Sequence, residues 1–157
     1  MRGKAVTLDG VAITYPGGFT AVHPTDLHIQ AGEFFSILGP SGCGKTTILR
    51  AVSGFIKPSD GRILIGGEDQ RGMGPNSRPT ALIFQNLALF PLMPVWENVA
   101  FGLEARGMSK RDRRERAMEL INLVALDGHA DKKPGELSGG QRQRVAIARA
   151  ASIASKI

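Results

Sequence analysis

The chain has 157 residues, a formal net charge of +6, 42% hydrophobic and 22% charged residues, which suits one ordinary globular domain able to bury about 70% of its unfolded surface. No apolar run approaches the roughly 20 residues of a membrane-spanning helix, and the start Met1-Arg2-Gly3-Lys4 leads into a strand-like stretch rather than a secretory signal. The single cysteine, Cys43, excludes an internal disulfide and suits a reducing compartment, the cytoplasm by default.

In chain order, Val6 to Tyr15 and Leu27 to Ile29 read as short strands separated by the turn-forming Pro16-Gly17-Gly18. Glu33 to Leu38 is a compact apolar run bounded by glycines and predicts a buried central strand. Lys45 to Ser53 predicts a helix with Ile48, Leu49 and Val52 on its buried side and Gly54 just past its end. Arg62 to Ile65 and Thr80 to Phe84 read as further strands, the second ending at Gln85. Beyond Gln85 the texture becomes helical. Pro91 and Pro94 mark a loop, a helix follows over Val95 to Leu103, and a longer one runs from Lys110 to about Leu126. Ser109 and Asp112 have capping-box spacing there, with Ala117, Leu120, Ile121 and Val124 on one apolar face. Much of the basic excess lies in Lys110 to Arg116 and in Arg142, Arg144 and Arg149. The first cluster contains Asp112 and Glu115 and no aromatics, which fits a solvated helix face and argues against nucleic acid as a partner.

Gly39-Pro40-Ser41-Gly42-Cys43-Gly44-Lys45-Thr46 satisfies the phosphate-loop pattern, between an expected strand and an expected helix. Its glycines let backbone N–H groups turn inward around phosphate oxygens, and the helix start adds partial positive charge. Lys45 supplies a full charge to the β and γ phosphates, and Thr46 a hydroxyl for Mg²⁺. Alone, the loop does not separate ATPase from GTPase or kinase. Cys43 reads as a small residue tolerated inside the tight loop.

Leu137-Ser138-Gly139-Gly140-Gln141 is the second anchor. Ser138 is placed as an N-cap and Gln141 as its reciprocal partner, ahead of a helix through Val145, Ile147 and Ala148. Read alone, this is either a structural capping box or an anion-binding helix start.

With both motifs in view, essentially the whole chain resembles the nucleotide-binding subunits of ABC (ATP-binding cassette) transporters. The resemblance implies an α/β P-loop NTPase fold: a parallel core sheet, an antiparallel β subdomain and a helical subdomain. Residues 1–85 would be the β subdomain and phosphate-loop core, 86–140 the helical subdomain, and 137–150 the signature motif and its helix. It further implies a head-to-tail dimer with a second ATP-binding subunit. ATP and Mg²⁺ would be held by Gly39 to Thr47 of one subunit, including Lys45, Thr46 and Thr47, and in trans by Ser138, Gly139, Gly140 and Gln141 of the other. Gln85 matches the glutamine that reaches Mg²⁺ and the attacking water, and Tyr15 the aromatic that stacks on adenine; read locally, Tyr15 is only an aromatic at a strand end. Phe90, Pro91, Met93, Val95, Trp96 and Glu97 fall in the region bordering the cleft that docks on permease subunits. Gly32 to Thr47 and Leu89 to Leu103 are similar to the importer branch, in particular spermidine/putrescine uptake ATPases. A substrate-binding protein would be an indirect partner, and the cytoplasmic face of the inner membrane the location.

The sequence departs from that pattern after Ala150. Ala151 to Ile157 has the length of the loop that follows the signature helix, with Lys156-Ile157 as the first step of a strand. No Walker B aspartate, catalytic glutamate or switch histidine follows, and His23, His28 and His129 read as ordinary strand or loop residues. The expectation is an N-terminal fragment that binds ATP weakly at best and does not turn it over. The alternatives are a non-hydrolysing nucleotide-binding module or a truncated decoy subunit. A DNA-maintenance ATPase is disfavoured, because no heptads separate the two motifs.

Overall fold

The computed structural model describes residues 3–154 and separates into two units, Met1–Thr80 and Ala81–Ile157.

In the first unit, β1 (Val6–Thr14), β2 (Thr20–Ile29), β3 (Asp60–Ile65) and β4 (Glu68–Asp69) form an antiparallel sheet in the order β2-β1-β3-β4. Strand β2 begins well before the expected Leu27, because Thr20 and Val22 pair with Thr14 and Ile13 across the hairpin. Leu8, Val11 and Ile13 are all buried, although a plain strand would turn Leu8 and Val11 to opposite faces. A register shift between Leu8 and Val11 returns Val11 to the core. Gly10 carries the irregularity at φ 58°, its N–H donating to Asp26 Oδ1 at 2.7 Å.

Helix α1 (Lys45–Val52) packs on this sheet: Ala51 is buried with Leu8, Val11, Ile13, Val22, Ile63 and Ile65, and Ile48 and Val52 flank the cluster. Leu49, expected on the buried side, is 47% exposed. Gly54 ends the helix in a Schellman motif, with Phe55 N–H donating to Arg50 O and Gly54 N–H to Ala51 O. The buried Arg78 guanidinium donates to Ala51 O at 2.7 Å, Val52 O at 2.9 Å, Met73 O at 3.0 Å and Gln70 O at 3.1 Å. A cation thus sits on the last carbonyls of α1, where the helix dipole favours it, and burial lowers its pKa below the ordinary arginine value.

Two expected strands are not formed. Residues 33–38 and 80–84 run without ladder pairing, and Phe34 and Leu38 are 95% and 90% exposed. Apolar, β-prone composition makes a strand only where a neighbour supplies the other half of each hydrogen bond. Among the described residues no strand lies beside 33–38, so the sheet present is the antiparallel one and the expected parallel sheet is not assembled.

The second unit is three helices: α2 (Val95–Glu104), α3 (Lys110–Leu123) and α4 (Gly139–Ala154), with a short 3-10 helix at Pro134–Glu136. Val95, Val99, Ala117, Leu120, Ile121, Leu126, Val145 and Ala148 form its core. Gly102 on α2 faces Ile153 on α4, where an added Cβ would meet Ile153 Cγ1 at 2.4 Å. Ser152, buried, donates its hydroxyl to Val99 O at 2.8 Å. The Ser109 cap on α3 forms as expected, accepting from Asp112 N–H at 3.2 Å. Residues 151–154, expected as a loop, continue α4; the expected strand start at Lys156-Ile157 lies outside the described residues, as do Met1 and Arg2.

Helix α3 ends earlier than Leu126, in a Schellman motif whose left-handed position is Ala125 at φ 53°. Leu126 N–H donates to Ile121 O and Ala125 N–H to Asn122 O. Ala125→Gly removes the Cβ penalty there and is expected to stabilise the unit by about 0.5–1 kcal/mol after the added freedom of the unfolded chain is subtracted. Chemical denaturation measures this, and a destabilised variant would contradict it.

Candidate nucleotide-binding site

The 39–46 loop enters α1 through three glycines. Gly42 and Gly44 have φ 83° and 88°, a left-handed region that glycine enters without strain. A Cβ on Gly44 would meet Ala21 O at 2.6 Å and Val22 Cγ2 at 3.1 Å, so β2 sets the height of the loop above the sheet. A Cβ on Gly39 would meet Cys43 Sγ at 2.8 Å, whereas nothing lies within 4 Å of one on Gly42. The loop is therefore closed on one side and open on the other.

Helix α1 begins with no side-chain cap and no acidic residue in its first turn. Its first N–H groups have no intrahelical acceptor, so the terminus offers unmatched donors and positive potential. Lys45 folds back over the loop, its Nζ donating to Gly39 O and Pro40 O, each at 2.7 Å, and approaching Cys43 Sγ at 3.5 Å. Ser41, Gly42, Cys43 and Thr46 are exposed and Thr47 is half-buried. The set is rich in donors and lacks carboxylates, which fits a polyphosphate. Among the described residues no cluster of three or more His, Cys, Asp or Glu could hold a metal by itself.

Tyr15 stands at the tip of the first hairpin, where its N–H donates to Phe19 O at 2.9 Å and its carbonyl accepts from Gly18 N–H at 3.1 Å. Its ring is 37% exposed, and Phe19 on the same tip is 66% exposed. Gln85 is exposed and belongs to the second unit.

The signature segment is also in the second unit. Ser138 Oγ accepts from Gln141 N–H at 3.2 Å, and Gln141 Oε1 accepts from Ser138 N–H at 2.8 Å, the expected reciprocal cap. Gly139 and Gly140 are exposed at the start of α4. His129, read from sequence as an ordinary loop residue, holds this cap: its Nε2 lies 3.2 Å from Gln141 Nε2, and its Nδ1 lies 2.9 Å from Asp127 O. An Nδ1–H tautomer donates to Asp127 O and accepts from the Gln141 amide, satisfying both contacts. Arg142 Nη1 donates to Leu137 O at 2.6 Å. Nothing in local spacing announced Arg78 or His129, which reach Ala51 O and the Gln141 amide, 27 and 12 residues away in sequence.

The chain is similar both to solved structures and to curated proteins. The dimeric post-hydrolysis structure of the ATP-binding cassette MJ0796 bound to ADP and Pi superimposes with a TM-score of 0.83 at 37% identity, covering 94% of this chain and 69% of that one. The spermidine/putrescine import ATP-binding protein PotA of Treponema pallidum (strain Nichols) is 51% identical over 96% of this chain and 39% of its own length. The Fe(3+) ions import ATP-binding protein FbpC of Brucella abortus (strain 2308) is 49% identical over 96% of this chain and 42% of its own length. The chain thus spans about two-fifths of these curated relatives. A family model for ABC transporters matches residues 22–157, and the chain belongs to that family.

Proposed function

We propose that this chain serves as the ATP-binding subunit of an importer, its 39–47 loop gripping the nucleotide's phosphates with Mg²⁺ at Thr46. The observation that carries this is the uncapped, acid-free start of α1 with Lys45 folded over the loop. When phosphate enters, Lys45 exchanges two neutral carbonyls for anionic oxygens, a stronger pairing. Tyr15 is the adenine platform, and Gln85 the residue that reaches metal and water. Ser138, Gly139, Gly140 and Gln141 complete the nucleotide pocket of a second subunit in a head-to-tail dimer. MJ0796 is described as a dimer with ADP and Pi, which supports that arrangement. Similarity to PotA and FbpC supports uptake of a small solute, a polyamine being the reading favoured at 51% identity. Permease subunits would anchor the assembly at the cytoplasmic face of the inner membrane, consistent with described helices none of which is long and apolar enough to cross it.

Mg²⁺ would neutralise the phosphates when bound. Lys45 and the loop N–H groups orient the phosphate chain, the kind of positioning on which phosphoryl transfer depends. Titration with a fluorescent ATP analogue and Mg²⁺ tests the reading: saturable binding at one nucleotide per chain is expected, and its absence overturns it.

A further inference from the structure

Only three non-glycine residues among the described ones have positive φ: Leu87 at 61°, Ala88 at 46° and Ala125 at 53°. Each presents its carbonyl to an arginine of α4. Arg144 Nη1 donates to Ala125 O at 2.8 Å and Val124 O at 3.1 Å. Arg149 Nη2 donates to Leu87 O at 2.6 Å and Nη1 to Ala88 O at 2.7 Å.

At Ala125 the helix-ending hydrogen bonds of α3 already account for the backbone. At 87–88 no helix does so. Two consecutive side-chain-bearing residues in the left-handed region persist only where the surroundings over-determine them. One local bond, Leu87 N–H to Phe84 O at 2.8 Å, closes the turn, and the arginine fork spans both following carbonyls. The fork is itself held: its Cζ lies 5.9 Å from the centroid of Phe90. Phe90 in turn packs on Phe101 at 4.5 Å and is pinned through its N–H and carbonyl by the buried Asn98. Burial lowers the Arg149 pKa below the ordinary value, yet a guanidinium keeps its charge.

We propose that Arg149 is a positioning residue that clamps the turn immediately after Gln85 to the signature helix, so that Gln85 takes its position from α4. The clamp rests on the functional reading above for the meaning of Gln85 and the signature, but its geometry stands apart from that reading. Lysine would not replace it, because one ammonium cannot match two adjacent carbonyls with a planar fork.

The test is a cycle between Arg149→Met and the pair Leu87→Gly/Ala88→Gly in this chain, read by thermal melting and by backbone chemical shifts at positions 87 and 88. Glycine occupies left-handed space without help, so a clamp should become dispensable in that background. Arg149→Met alone is expected to lower Tm by roughly 5 °C and to shift positions 87 and 88 out of left-handed geometry, and Arg149→Lys to behave likewise. In the glycine background the same Arg149→Met substitution should cost less than half as much. Equal losses in both backgrounds, or unchanged left-handed shifts in Arg149→Met, would overturn the clamp. Should Arg149→Met not fold by itself, a folded triple variant supports the clamp and an unfolded one overturns it. ATP titration of the unmodified chain tests the functional reading separately: no binding there, with the cycle still coupled, removes that reading and leaves the clamp.

Discussion

Lys45→Ala should weaken ATP binding by this chain about 10- to 100-fold. A charge-assisted hydrogen bond contributes about 1.5–3 kcal/mol, and each 1.4 kcal/mol is roughly tenfold in affinity. The fold itself should hardly notice. Lys45 Nζ donates to Gly39 O, Pro40 O and Cys43 Sγ, and this exposed loop can give those acceptors to water instead. A change in stability within about 0.5 kcal/mol is expected, as for most surface substitutions. Calorimetric titration together with denaturation separates the two quantities. A variant that binds ATP as tightly as the parent would mean that the phosphates rest somewhere other than this loop.

Gly61→Ala should be the most damaging single methyl in the first unit. Gly61 has φ 73°, and its added Cβ would lie 2.3 Å from Gly10 O, 2.4 Å from Gly10 C and 2.5 Å from Asp9 O. These are backbone atoms at the irregularity where β1 shifts register against β3 between Asp9 and Ala12, so no side chain can swing aside. Overpacking plus left-handed strain should cost about 3 kcal/mol or more, a large share of the 5–15 kcal/mol typical of a domain. Gly67→Ala is the control: φ is 83° but nothing lies within 4 Å of the new Cβ, so only conformational strain of about 1 kcal/mol applies. Equal losses at the two positions in urea denaturation would show that strain, and not the close approach to β1, dominates. Because Ala51 of α1 shares one buried cluster with Ile63 and Ile65 of β3, Gly61→Ala should also erode ATP binding as the sheet loosens.

Much of the site was legible because its chemistry is local. The phosphate loop and both serine caps depend on residues a few positions apart, and the apolar face of α3 follows from a 3.6-residue period. Ala117, Leu120 and Ile121 are buried as that period requires. What the sequence misread depends on distance. Residues 33–38 have the composition of a buried strand, yet a strand is a property of two segments, and Phe34 and Leu38 stand in solvent here. The backbone path still follows the cassette fold, as the TM-score of 0.83 records; it is the ladder that is absent among the described residues. Gly10 gave no periodic signal for the bulge that buries both Leu8 and Val11. Nothing in the sequence singles out Arg78, and Arg149 stands there only as part of the basic excess. Their guanidiniums instead bind carbonyls 27 and 62 residues away in sequence, a pairing that no local pattern encodes.

The central claim is that nucleotide phosphates occupy the loop between Gly39 and Thr46, and Cys43 offers a direct reporter of it. It is the chain's single cysteine, it is exposed, and it sits in the middle of that loop. The decisive measurement is the rate of Cys43 alkylation as MgATP is raised. The account predicts that the rate falls saturably, with half-protection at the ATP dissociation constant, and that Lys45→Ala loses the protection at the same ATP concentrations. An alkylation rate indifferent to ATP at concentrations that saturate binding would contradict it.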